Sequence, residues 1–158
     1  MESARASALA FLKRHRMGIL ASTAAGGHPH ASAVYYEAED DFSVYFTTRI
    51  NSRKYIAMSA EPRIAFVVST EDVPQTIQME GIAVDISRER DASKHKEKLF
   101  TALDSNAFFY PPISKLDSGT SVIMMIRPTW VRWADYAFAK SGTSNVLIEI
   151  PVGEPRKQ

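Results

Sequence analysis

The stretch "YFTTRINSRKYIAMSAEPRIAFVV", residues 45–68, packs a strand, a break, a helix and a second strand into one short segment. An alternating run ends at Thr47 and Thr48, and "RIN" interrupts it. "SRK" (52–54) then opens a short helix over 52–60, with Tyr55, Ile56 and Met58 available for packing. Ser52 suits the N-cap, because its oxygen can accept a free amide of the first turn. Arg53 and Lys54 follow at the end where the helix dipole already presents positive partial charge, and acidic residues are favoured there. Two readings stand. Either both cations reach into water at little cost, or an anion binds. A phosphate would satisfy the free amides and pair with the cations, and Thr47, Thr48 and Ser52 add three hydroxyls around it.

Working outward, "RIAFVVS" (63–69) follows Pro62 as a strand apolar enough to be central. "QTIQMEGIAVDIS" (75–87) is long for a strand, and Gly81 in its middle predicts a bulge or a tight bend. Upstream, residues 3–15 form a helix with Ala4, Ala8, Phe11 and Leu12 on one face, and "MGILAST" (17–23) is a buried strand. "AAGGHP" (24–29) is a turn. "HASAVYYEA" (30–38) and "FSVYFTT" (42–48) are strands joined by the acidic turn "EDD". Downstream come a helix over 90–105 and strands over 122–128, 130–138 and 145–151. Seven or eight strands joined mostly by short turns predict a mainly β fold with peripheral helices. An antiparallel barrel, closed or nearly closed, removes exposed edges. No repeat or linker divides the 158 residues, so one domain is expected over 1–158, with the N-terminal helix at 1–15 and a flexible tail at 152–158.

Composition narrows the chemistry. There is no cysteine, which removes disulfides, thiolate metal sites and a cysteine nucleophile. Nineteen Lys+Arg against 18 Asp+Glu offer no nucleic-acid or membrane surface. The N-terminus lacks a signal-peptide core, so a cytoplasmic location is expected. No Walker loop, Rossmann glycine motif or G-x-S-x-G elbow is present. His28 and His30 flank Pro29 in a turn, and an H-x-H pair needs a third ligand to hold a metal, so a solvated turn is the reading preferred. His95 sits among Lys94, Lys96 and Lys98 and reads as part of a solvent face. Trp130 and Trp133, three positions apart, point to opposite faces if they share a strand. One then belongs to the core and the other to an interface or a flat ligand, unless both simply pack.

The order of these segments resembles the FMN-binding split barrels of the pyridoxamine 5′-phosphate oxidase-like family, and most of all its small general-stress-protein members. The resemblance is carried by "FTT" (46–48) ahead of "SRK" (52–54), then "EPRIAFVV" (61–68), with Glu61 where the family has Asn, then "QTIQMEGIAVDIS" (75–87). It spans about residues 8 to 138. It implies a split β-barrel homodimer with the flavin in a cleft between subunits. On this reading Ser52, Arg53 and Lys54 grip the phosphate, and Phe46, Thr47 and Thr48 lie at the flavin or its phosphate end. "HASAV" (30–34) lies along the ring and ribityl chain, with Ser32 and Val34 offering backbone groups. Thr76 and Gln78 reach in from the other subunit, and Trp130 or Trp133 stands near the cleft. The implied activity is an oxidoreductase passing electrons from NAD(P)H to a small acceptor. Alternatives are a non-catalytic flavin store or sensor, or a relative holding a deazaflavin coenzyme or haem. The strand 30–38 has only His30 as a basic residue, and the C-terminal "NVLIEIPVGEPRKQ" lacks the family oxidase's Arg/His segment, which argues against pyridoxamine phosphate as the substrate.

Overall fold

The computed structural model describes residues 2–105, 121–137 and 146–153. Helix α1 (Glu2–Arg14) precedes strand β1 (Met17–Thr23) and, after a turn, β2 (Pro29–Tyr35). Short β3 (Glu37–Ala38), β4 (Val44–Arg49) and helix α2 (Arg53–Ala60) follow. Next come β5 (Arg63–Ser69), β6 (Gln75–Asp85), helix α3 (Ala92–Asp104), β7 (Ser121–Asp135) and β8 (Leu147–Glu149). The strands form one antiparallel sheet in the order β2-β1-β5-β6-β7-β4-β3, with β8 also pairing with β7. The long β7 makes this curvature workable. Its first half pairs with β4 and residues 132–134 pair with β8, while β6 runs along its other edge. The sheet curls until β2 and β4 touch without a hydrogen-bonded ladder between them, which gives a split barrel.

Alternation decides which side chains enter the barrel. Leu20, Phe46, Phe66, Ile77, Met79 and Ile126 fill it, and the Phe11 and Leu12 face of α1 plugs one side. Gly18 has a packing reason, since a Cβ there would lie 2.3 Å from Phe66 Cζ. Lys13 and Arg5 of α1 bind the Asp40 carboxylate and carbonyl respectively, fastening the helix to the β3–β4 turn. A smaller apolar cluster of Tyr45, Ile86, Ala92 and Ile123 seats α3 on the outside of the sheet. No helix among the described residues is long and apolar enough to cross a membrane.

Six expected strands are redrawn. The run 30–38 breaks at Tyr36, which is fully buried. The Tyr36 amide donates to the Arg16 carbonyl at 2.9 Å and its hydroxyl donates to the Leu12 carbonyl at 2.7 Å, so the chain leaves β1 and re-pairs as β3. The strand expected from 42 starts at 44, because Phe42 takes φ 67° to close the turn against Glu39. The strands expected at 122–128 and 130–138 are one strand, whose last expected residue, 138, lies outside the described residues. Their gap is a bulge. Glu80 pairs with Trp130 and Gly81 with Pro128, leaving Thr129 extra, at the kind of position where proline's missing amide is tolerated. The expected bulge at Gly81 is therefore present, and a Cβ there would sit 2.6 Å from the Arg127 carbonyl oxygen. Strand β6 ends at Asp85 rather than 87, where Asp85 Oδ1 accepts the Ser87 amide and turns the chain. The last expected strand, 145–151, is confined to β8 within the described residues, and the tail beyond 153 lies outside them.

Candidate functional site

The start of α2 is built as a rigid corner. Ser52 is extended, at φ −74° and ψ 147°, and its Oγ accepts the Tyr55 amide at 3.2 Å. The same oxygen lies 2.9 Å from Oγ1 of Thr48, which is buried at the end of β4. The Ser52 amide donates to the Arg49 carbonyl at 3.1 Å, closing the turn between β4 and α2. The first turn carries no acidic residue. Lys54 is half-buried, and that burial pushes its pKa below the ordinary lysine value. Among the described residues no carboxylate pairs with Arg53 or Lys54. Asp85, bound to the Tyr55 hydroxyl at 3.1 Å, is the acid that reaches α2, and it is taken up by Tyr55 and Ser87. Burial would raise the Asp85 pKa, but the hydrogen bonds from Ser87 and Tyr55 outweigh it and hold the group low.

Strand β2 contacts both β4 and α2. On it, Ser32 presents a buried Oγ with no hydrogen-bond partner. The structure thus brings Thr48, Ser52, Arg53 and Lys54 to one corner, with β2, the strand that carries Ser32, in contact with the same two elements. Other expected site residues fall elsewhere. The Phe46 and Val34 side chains point into the hydrophobic core, which leaves Val34 its backbone groups, the kind of contact expected of it. Thr47 alternates to the opposite face of β4 from Thr48. Thr76, Gln78 and Trp130 share the outer face of the sheet. There Gln78 Oε1 accepts from Arg132 Nε at 3.0 Å, and the Arg132 guanidinium lies 5.1 Å from the Trp130 ring. Trp133 is the core member of the tryptophan pair, 3% exposed with its ring 5.0 Å from Phe11. The expected solvent face at His95 is also corrected, since its ring stacks on Tyr45 at 3.8 Å and 7°.

Two cavities open on other parts of the molecule. One, of about 540 Å³, lies among Ala21, Ser22, Arg63, Glu80 and Ile82. The second, of about 560 Å³, lies between α1 and the β7–β8 edge, over Phe11 and Trp133. Neither includes the α2 corner.

The fold is a split β-barrel whose helix α2 opens with two cations and no acid in its first turn. Residues 5–134 match the family model described as pyridoxamine 5′-phosphate oxidase, and the chain belongs to that family. No curated protein is detectably similar to it. Among solved structures it is similar to an F420 reductase, at 25% identity and TM-score 0.62, covering 77% of this chain and 93% of that one. It is similar to general stress protein 26 of Bacillus anthracis strain Sterne, at 18% identity and TM-score 0.61, covering 80% and 91%. A pyridoxamine 5′-phosphate oxidase-related, FMN-binding protein of Nostoc punctiforme matches at 14% identity and TM-score 0.60, covering 93% and 86%. The residues at the α2 corner fit a phosphate-bearing cofactor. Lys54 is desolvated with no counter-charge among the described residues, and on the adjoining strand β2 the Ser32 hydroxyl has no partner.

Proposed function

We propose that this chain binds FMN with its phosphate at the start of α2, and that it acts as an oxidoreductase carrying electrons from NAD(P)H to a small acceptor. The observation that carries this reading is the pair Arg53 and Lys54 at a capped helix N-terminus with no acid in its first turn. A dianion there meets free amides, two cations and the hydroxyls of Thr48 and Ser52. Bound FMN supplies the electron-transfer chemistry, while the chain holds the phosphate and orients the ring. No side-chain acid or base needs to be assigned.

The active unit on this reading is a homodimer. The outer face of the sheet exposes Met17 at 53% and Ile19 at 47%, flanked by the exposed Ala31, Ala33 and Ala65. Such a patch suits a second copy of the same surface. Thr76, Gln78 and Trp130 lie on this same face. Association would carry them toward the partner's α2 corner and enclose it in a cleft.

A deazaflavin coenzyme is the second reading, favoured by the 25% identity to an F420 reductase over most of both chains. The test is the visible spectrum of the purified protein with mass identification of the released ligand, followed by titration with FMN, deazaflavin and haem. FMN bands that bleach with NAD(P)H support the oxidoreductase. Bound FMN that NAD(P)H cannot bleach points to a flavin store or sensor. A deazaflavin or haem mass replaces the cofactor assignment, and binding of none of the three removes it.

A further inference from the structure

We propose that Glu37, Glu39 and His95 form a binding site for a divalent transition ion of the Zn²⁺ class, in which Lys98 is a resident cation that the incoming metal displaces. The three residues come from β3, the β3–β4 turn and α3, and one ligand atom from each lies within 4.8 Å of the other two. A tetrahedral ion with bonds of about 2.0–2.2 Å holds its ligands about 3.3 Å apart, so a modest closure completes the set and leaves a fourth position for water. Two carboxylates and an imidazole suit a borderline ion.

The unsatisfied atoms point to a ligand. Glu37 is 5% exposed, and its Oε2 is buried without a hydrogen-bond partner. His95 Nδ1 is likewise buried and unpartnered, and it aims at Glu39 Oε1 from 3.9 Å, too far for a hydrogen bond. Buried polar atoms are normally paired, and an ion held by Glu37 and His95 would give the unpaired side chains a partner. The imidazole is already oriented, because its ring is stacked on Tyr45.

At present the positive charge comes from Lys98, whose Nζ lies 2.8 Å from Oε1 of both Glu37 and Glu39. A buried carboxylate demands such a partner. Yet the Lys98 side chain is 47% exposed and enters from the solvent side, so it can swing out without unpacking the core. A divalent ion would supply a second charge and take up the His95 nitrogen that the ammonium leaves unpartnered. Metal and ammonium therefore compete for the same carboxylates.

The competition fixes the test. Zn²⁺ is titrated calorimetrically into the full chain after chelator treatment, with circular dichroism confirming that each variant folds. The wild type is expected to take up one Zn²⁺. His95→Ala and Glu39→Gln should each weaken it by at least about tenfold, and Lys98→Met should tighten it by a similar factor. Lys98→Gln serves as the second charge-removing variant if the methionine does not fold. The double variant His28→Ala/His30→Ala should bind like wild type. The site is overturned by an absence of saturable binding, by unchanged binding in His95→Ala, or by binding lost in the His28/His30 variant. A folded Lys98 variant that binds no more tightly than wild type also overturns it.

Discussion

Helices α2 and α3 both pack on the same barrel and both bring lysines to its surface, but they treat that charge in opposite ways. On α3, Lys98 is bracketed by two carboxylates, and those hydrogen bonds raise its pKa. On α2, Lys54 is half-buried with no acid beside it among the described residues, and burial lowers its pKa. A lysine whose charge is answered within the chain holds the fold together. A lysine desolvated without an answer is a cost to the free chain that a bound anion can remove. This contrast, more than the number of cations, separates a binding corner from a structural one.

Charge removal should break the comparison most sharply at α2. Arg53→Ala/Lys54→Ala is expected to weaken FMN binding by about 100-fold or more, since each charge-assisted bond contributes about 1.5–3 kcal/mol. The cofactor-free variant should melt no lower than wild type. Fluorescence titration and thermal denaturation check the two halves. Unchanged affinity would leave these cations as an ordinary solvated helix start. The mirror experiment is Lys98→Ala without metal. It leaves Glu37 buried and uncompensated, so stability should fall by about 1–2 kcal/mol. This is less than for a fully enclosed pair, because Lys98 is half exposed. Urea denaturation reads it, and an unchanged midpoint would mean that Glu37 needs no cation.

Legibility followed sequence distance. The α2 corner was readable because Thr48, Ser52 and Lys54 are near neighbours, and their roles come from capping and dipole rules that act within one turn. β1 and β5 have the expected bounds, but the expected burial of β1 is corrected, since it buries one face and leaves Met17 and Ile19 exposed on the other. The break at Tyr36 was hidden because it is decided by bonds to Arg16 and Leu12 on another element, within a run that alternates like a strand. Thr129 looked like a gap between strands because proline precedes it, and only the pairing with β6 makes it a bulge. His95 looked solvated among lysines, while the groups it meets, Tyr45 and Glu39, lie on the far side of β5 and β6 in sequence. The family pattern placed Phe46 at the flavin because it reads motif order. The inward turn of that side chain comes from strand parity.

A smaller effect sharpens the α2 side. Ser52→Ala removes the oxygen that accepts the Tyr55 amide and pairs with Thr48. Loss of an N-cap costs about 1 kcal/mol of stability. FMN should partly rescue this variant, because phosphate oxygens can take over the freed amide. Thermal shifts with and without FMN measure the rescue. Equal destabilisation in both would mean that the ligand does not reach the helix start.

The smallest effect is a proton linkage at Lys54. Its folded pKa is lowered by burial, so the unfolded chain binds the proton more readily. Stability of the free chain therefore rises with pH between the depressed value and the ordinary lysine value. A phosphate dianion beside the ammonium favours the charged form and moves the pKa back up. Binding then takes up a proton in that alkaline window, and FMN affinity falls as pH rises through it, by less than about tenfold per pH unit because one proton is involved. Well below the depressed value the lysine is charged in both states and no linkage is expected. Titrations across the alkaline range, repeated with Lys54→Arg, isolate the group, since arginine stays protonated throughout. If Lys54→Arg keeps the wild-type slope, the proton comes from another group and Lys54 does not face the phosphate.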